Sequence, residues 1–398
     1  GLCAAVALSL KGHKVTVLEQ GESTSEGSAG IQSSPNFTKL LYSWGLESGL
    51  EKYGAKPLFM EQRRWEDSSE IAKVPINASD AMEKLYGYPH YNIHRADLQR
   101  ILLNRARQFG VFITAGTRVV GFEPAVSAMG QDTIVLNSGR RICADVIIAA
   151  DSNRSGMKGL VLSDEIESWF IRDSVYRALL PGTLLEDPEL ESLDLKENTT
   201  GWLGPDGHVI GYYVRNFQMY NIVMVISDDN QLGQEARRGY PGDLEKMYNA
   251  FEGWDWRLRR MLDFVDSSHI WRLQDRPAAK RWVHPDGNLV LLGDAAHAKL
   301  PYAAAGAASA AEDAAALAEC LGYVGGGKDR SVREVLKIYE EIRVPRATEV
   351  VERSRRNRIV FHMHDGKVNN NGWLSQRAHI KAGREQRERD ARLKADAD

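Results

Sequence analysis

Three acids close short apolar runs that read as strands, and cofactor chemistry would start from that placement. Val17-Leu18-Glu19, Ala149-Ala150-Asp151 and Leu292-Gly293-Asp294 share the pattern. A parallel sheet gathers such turns at its carboxyl edge, where nucleotide cofactors dock. In a dinucleotide fold, an acid at the tip of the second strand, about 20 residues after a glycine turn, accepts a hydrogen bond from the adenosine ribose. Glu19 stands at nearly that separation from Gly1, although it also reads as an ordinary polar strand end. The third run carries most information. Gly293-Asp294-Ala295-Ala296-His297 leads to Leu300-Pro301-Tyr302 and then to Gly306-Ala307-Ala308. Small residues let a ligand approach helix backbone, and a helix starting near 304–307 presents free N–H groups and a positive dipole end. An anionic ring or phosphate would be stabilised there. The competing reading is an alanine-rich packing helix.

Other reactive residue types fail on spacing. Cys3, Cys143 and Cys320 are far apart and odd in number, which excludes a disulfide scaffold or zinc module and points to a reducing compartment. His94, His284 and His297 show no metal-ligand spacing and read as structural groups or as supports behind a site, with a catalytic base the lesser alternative at His297. Gly322 to Asp329 imitates a phosphate loop, G-x-x-x-x-G-K-D, yet it follows a helix and lacks the Ser/Thr that would hold magnesium. Sequons at Asn36, Asn77, Asn153 and Asn198 read as chance matches. Trp254 and Trp256 read as core or interface aromatics, and the basic run Arg353 to Arg358 as a solvated helix face.

The elements that must position these residues follow from pattern. Leu2 to Leu10 is rich in Ala and Leu and predicts a helix, capped at Gly12; Lys14 to Glu19 predicts a buried strand. Gly27 to Gly30 reads as a flexible loop. Helices are predicted over Pro35 to Trp44, with Asn36 as cap, and over Leu98 to Gln108. Strands are predicted at Val111 to Val120, Thr133 to Leu136 and Arg141 to Ala149. From about 160 to 275 the texture changes to short strands at Val175 to Leu180, His208 to Val214 and Tyr220 to Ile226, divided by Pro/Gly/Asp turns. That texture predicts a second domain on an antiparallel or mixed sheet. A strand at Asn288 to Leu292 and helices at Ala303 to Leu321 and Val332 to Arg353 follow. The tail from Gln376 is mostly charged and reads as a solvated or frayed helix.

The 398 residues, 43% hydrophobic and 26% charged, suit a globular chain of two or three structural units. A net charge of −3 argues against a dedicated nucleic-acid or anionic-membrane binder. No run approaches the ~20 apolar residues of a membrane span.

Taken together, these segments resemble the FAD-dependent aromatic-ring monooxygenases, the single-component class that includes salicylate hydroxylase, and above all their fungal secondary-metabolism branch. The similarity runs from Gly1 to about Gly366. Its anchors are the Lys11-Gly12-His13 to Glu19 strand, Ala29-Gly30-Ile31-Gln32, His94-Arg95-Ala96-Asp97-Leu98, Ala144-Asp145 to Asp151, Tyr176-Arg177-Ala178-Leu179, Asp275-Arg276-Pro277, Gly293 to Ala308, and Phe361-His362 to Gly366. Co-linear motifs in the right order are far more specific than a lone glycine fingerprint.

The resemblance implies an α/β fold: a Rossmann-like, three-layer FAD-binding domain with an inserted mixed β-sheet substrate domain and C-terminal helices. Residues 1–160 and 276–355 are expected in the first domain, 161–275 in the second, and 356–398 in an extension. It implies Glu19 at the adenosine ribose, Gly30 beside the cofactor, Arg95 against the FAD, Asp294 on the ribityl–pyrophosphate stretch and Ala307 at the helix start facing the flavin. Arg177 and Tyr212 match the substrate-pocket pair. An arginine holds a phenolate or carboxylate by a charge-assisted hydrogen bond, and a tyrosine orients the ring and shares its proton. NADH or NADPH would reduce the flavin, O2 would add to give a hydroperoxide, and one oxygen would pass to a small aromatic or phenolic substrate. Alternatives are an epoxidase or dearomatising relative acting on a polyketide or terpenoid, and an inactive remnant. The expected protein is a cytoplasmic monomer or homodimer, with a targeting segment ahead of Gly1 left open.

Four departures from the family pattern stand out. The opening strand and the first two glycines of the phosphate turn are absent, so a cropped or mis-started reading frame is expected. Losing ~6 buried residues would remove on the order of 10 kcal/mol and leave FAD weakly held. Ser152 replaces the glycine of an Asp-Gly turn, where it is expected to shift the loop. Ala298 replaces a usual proline, and Ala305 a usual glutamine.

Overall fold

The computed structural model of the chain describes residues 1–21, 30–125, 130–153, 155–162, 168–227, 240–325 and 328–363. The loop at 27–29 and the tail from Gln376 lie outside them. In chain order the first elements are α1 (Leu2–Leu10), β1 (Thr16–Leu18), β2 (Gly30–Ser33), α2 (Pro35–Ser43), α3 (Glu47–Tyr53), β3 (Phe59–Arg64) and β4 (Glu70–Pro75). Next come α4 (Ala81–Tyr86), β5 (Tyr91–His94), α5 (Arg95–Gln108), β6 (Phe112–Thr114), β7 (Val119–Glu123), β8 (Asp132–Leu136), β9 (Arg141–Ala144) and β10 (Ile147–Ala149). After α6 (Lys158–Val161) the chain forms β11 (Trp169–Pro181), β12 (Asn198–Gly204), β13 (Gly207–Val214), β14 (Met219–Ser227) and β15 (Tyr240–Pro241). It closes with α7 (Leu244–Asn249), α8 (Trp256–Leu262), β16 (His269–Asp275), β17 (Leu289–Leu291), α9 (Asp294–His297), α10 (Gly306–Leu321) and α11 (Val332–Phe361).

One lobe is α/β. Two parallel pairs, β1 with β6 and β10 with β17, lie among helices. β10 and β17 are wholly apolar, as strands covered on both faces are. α1 packs on α10, and the buried alanines of both (Ala4, Ala5, Ala311, Ala314) let the backbones come close. α11 starts with a capping box, Ser331 and Glu334 bonding reciprocally, which satisfies orphan N–H groups at its first turn.

The other lobe is an eight-stranded mixed sheet in the order β15-β16-β11-β14-β13-β12-β3-β4. Its strands have period-two alternation. Tyr176, Ala178 and Leu180 of β11 join Ile222, Met224, Val209 and Tyr213 in a core closed by Met247 of α7, by Phe251 just beyond it, and by Leu258 and Met261 of α8. Val175, Arg177 and Leu179 project from the opposite face.

The α/β class and the mixed second sheet agree with the sequence reading; several boundaries differ. The run 111–120 divides at Gly116 (φ 65), where the chain leaves the parallel pair as β6 and re-enters an antiparallel β7-β8-β9 sheet. Arg141 to Ala149 likewise divides into β9 and β10. Ser34, not Asn36, is the N-cap of α2; Asn36 donates instead to Glu312 at 2.8 Å. α11 runs on to Phe361 because its basic run is not a solvated face: Arg355 bonds Asp275 at 2.8 Å and Arg358 bonds the buried Asp173 at 2.8 Å. After α10, Val324 and Gly325 pair antiparallel with Asp329 and Lys328, so the described part of the glycine-lysine motif is strand rather than phosphate loop. The Asn198 sequon is buried, its Nδ2 donating to Glu61. Among the described residues no helix is long and apolar enough to cross a membrane.

Candidate active site

Four expected site residues converge over one face of the large sheet. β2 runs antiparallel to β5 with Gly30 opposite His94, so Arg95, the first residue of α5, follows directly from that pair. The His94 ring caps α5 by accepting the Ala96 N–H. Gly30 donates its N–H to Asn221 Oδ1 at 2.7 Å. A Cβ on Gly30 would lie 2.5 Å from the Tyr212 ring, so only glycine lets β2 rest on that ring. Tyr212 is the cross-strand partner of Asn221, and Arg177 that of Val223. Arg177 has a buried Nε without a partner, and its guanidinium lies 5.5 Å from the Trp271 ring. Burial pushes its pKa down, Tyr212 favours its charge and Arg95 opposes it. Burial likewise raises Tyr212, against the pull of Arg177, so its phenol stays protonated at neutral pH.

The other expected residues sit at the carboxyl edge of the parallel pairs. Glu19 follows β1 and is exposed, one carboxylate oxygen accepting the Gly21 N–H at 2.8 Å. Asp294, also exposed, begins α9; the Gly1 amino group lies close enough to feel both carboxylates. Gly293 takes φ 66 and ψ −137, a conformation that suits glycine alone. A Cβ there would meet Ala310 at 3.2 Å, which places the Gly-Asp turn against the first turns of α10. Ala307 lies in that first turn. Because the N-cap is Ala305, no side chain caps α10, and its leading N–H groups stay available to a ligand.

A buried network not apparent in the motif reading holds this edge. Asp313 of α10 accepts from Gly293 N–H at 3.0 Å, from His297 Nε2 at 2.6 Å and from Arg343 Nε at 2.8 Å. His297 Nδ1 meets Lys299 at 3.1 Å, so both ring nitrogens are satisfied and the residue is structural, as expected. The available signal was an acidic pair, Glu312-Asp313, inside an alanine run. Asn221 carried none.

The lining suits a dinucleotide. Lys158 is buried, its Nζ has no partner, and desolvation with nearby Arg276 pushes its pKa down to about 8. Arg276 donates to Asn153 O at 2.7 Å and senses Asp294. Two neighbouring cations, Lys158 buried without a partner and Arg276 half-buried within reach of Asp294, have the charge that a diphosphate would compensate. Ser152 takes φ 75, a left-handed conformation disfavoured with a Cβ. Ser152→Gly is therefore expected to stabilise the fold by about 1 kcal/mol, read from urea unfolding.

Comparison with known proteins bears on this geometry. A FAD-binding domain profile matches residues 1–354. FAD-dependent monooxygenase OpS4 of Beauveria bassiana is 34% identical over 370 residues, 92% of this chain and 84% of that protein. The chain belongs to the FAD-dependent monooxygenase family. This monooxygenase is also 32% identical to 3-amino-4-hydroxybenzoate 2-monooxygenase PtmB3 of Streptomyces platensis, over 92% of this chain and 87% of that one. A salicylate hydroxylase solved in complex with substrate superposes with a TM-score of 0.77 at 25% identity, covering 94% of this chain and 89% of the other. FAD is the cofactor of this family.

Proposed function

We propose that this monooxygenase hydroxylates a small aromatic acid or phenol, with NADH or NADPH as reductant and O2 as oxidant. The observation carrying this reading is the unpartnered, buried Arg177 Nε beside Tyr212, on the sheet face toward Gly30. Bound FAD supplies the oxygen chemistry: it accepts electrons from the nicotinamide and delivers one atom of O2 to the ring. The protein positions and shields. Arg177 holds the substrate's phenolate or carboxylate, because an anion there compensates a cation that burial otherwise penalises. Tyr212, protonated, donates its O–H to a ring oxygen and fixes the carbon presented for attack. Arg95 adds positive potential at the same mouth. Glu19 takes the ribose, Asp294 the ribityl–diphosphate stretch, Lys158 and Arg276 the diphosphate charge, and the amides from Ala307 onward the flavin's anionic edge. Gly30 keeps β2 close to the pocket. The resemblance to the fungal branch supports a place in secondary metabolism, and the free thiols suit a reducing cytoplasm.

Purified protein loaded with FAD should be yellow and should bleach with NADH or NADPH under anaerobic conditions. Asp294→Ala is expected to weaken FAD about 10- to 100-fold, the loss of one hydrogen bond to a charged group, in a fluorescence titration. Unchanged affinity would remove Asp294 from the cofactor site.

A further inference from the structure

The end of α11 grips the turn leading into α10. Ser354 Oγ donates to Leu300 O at 2.5 Å and Asn357 Nδ2 donates to Tyr302 O at 3.0 Å. Arg358 Nη2 donates to Asp173 at 2.8 Å, and Phe361 packs edge-on to Tyr302 at 6.4 Å. These positions follow the i, i+3, i+4, i+7 spacing of a single helix face. Asp173 is wholly buried on β11 and also accepts from Ser227 Oγ at 2.6 Å and from the Tyr302 hydroxyl. The Tyr302 ring is walled by His208 at 5.4 Å and His362 at 5.7 Å, themselves joined by a 2.9 Å hydrogen bond.

Asp173 thus binds two lobes at once. Tyr302 and Arg358 reach it from the cofactor side, Ser227 from the sheet. It shares a face of β11 with Arg177, about 13 Å away along the strand at 3.3 Å per residue. We infer that Asp173, Tyr302 and Arg358 are positioning residues that set the register between the cofactor turn and the substrate arginine. The role rests on the aromatic-hydroxylation reading. Oxygen transfer demands a near-attack distance, and a displacement of about 1 Å costs on the order of 100-fold in the productive step. Productive turnover is NAD(P)H + H⁺ + O2 + ArH → NAD(P)⁺ + ArOH + H2O. A misaligned site returns NAD(P)H + H⁺ + O2 → NAD(P)⁺ + H2O2.

The experiment compares FAD-loaded wild type, Tyr302→Phe, Asp173→Asn and the conservative Arg358→Lys, with 3-amino-4-hydroxybenzoate as probe. Product and H2O2 are measured per NAD(P)H consumed, beside amide exchange over 301–306 in FAD-loaded protein. Tyr302→Phe is expected to keep its FAD, to divert most reducing equivalents to H2O2, and to exchange at least tenfold faster in that turn. Arg358→Lys should lie between it and wild type. Unchanged coupling and unchanged exchange in Tyr302→Phe would overturn the clamp. A variant that only melts earlier, with wild-type coupling at low temperature, would overturn it too. If wild type forms no product while exchange responds as expected, the hydroxylation reading fails and the clamp stands.

Discussion

Replacing Arg177 with methionine is expected to cut kcat/KM for aromatic acids and phenols by roughly 30- to 1,000-fold, about 2–4 kcal/mol, the range for losing one partner of a desolvated charge pair. The reasoning turns on what Arg177 lacks. Its Nε is buried and makes no hydrogen bond among the described residues, and the Trp271 ring lies 5.5 Å from its guanidinium. A structural arginine would be paired as Arg343 is with Asp313. Removing an uncompensated buried cation should leave the substrate-free protein as stable as before, or more so. Loss of turnover without loss of melting temperature is therefore the signature. Lysine should restore part of the activity, since it keeps the charge and forfeits the planar fork. Wild-type turnover of aromatic acids by the methionine variant would end the proposed role.

Asp313→Ala should be the most destabilising single change at the cofactor edge, by about 3–5 kcal/mol. It strands the buried Gly293 N–H and His297 Nε2 and strips Arg343 of one of its two carboxylates, leaving it Glu312 alone. Stability of a typical domain is only about 5–15 kcal/mol, so much of the fold's margin is involved. Burial pushes the Asp313 carboxyl up, but the His297 bond and Arg343 more than offset this and hold it below the usual range. The sign follows. A depressed folded value stabilises the protein fully above the unfolded pKa of about 3.9 and loses that contribution as pH falls below it. Urea midpoints of wild type and Asp313→Asn should therefore differ most near neutrality and converge in acid. A pH-independent gap would contradict the ionised-hub account.

Much of the scaffold was legible because its signals are local. Ala-rich α1, the apolar β10 and β17 and the Gly293-Asp294 turn each declare themselves within a few residues. Distant pairings did not. Residues 59–75 carry no strong strand pattern, and β3 joins β12 across 137 positions between Glu61 and Asn198. The basic run near Arg356 looked solvated because its carboxylates, Asp173 and Asp275, are remote in sequence. Arg177 and Tyr212 emerged through resemblance, since one arginine and one tyrosine in separate strands have no spacing to read. Asn221 escaped altogether: an amide beside Val223 looks like any strand residue until Gly30 is laid on it.

The alternation along β11 has a bearing on how such a catalyst diversifies. Positions 177 and 179 share the face on which Arg177 is proposed to meet substrate, whereas 176, 178 and 180 keep the sheet folded on its helices. New substrate ranges are open to point substitutions at the first set, tried one at a time without endangering the second. An inserted or deleted residue exchanges the two sets at a stroke, so lineage drift along this strand must proceed by replacement and never by change of length.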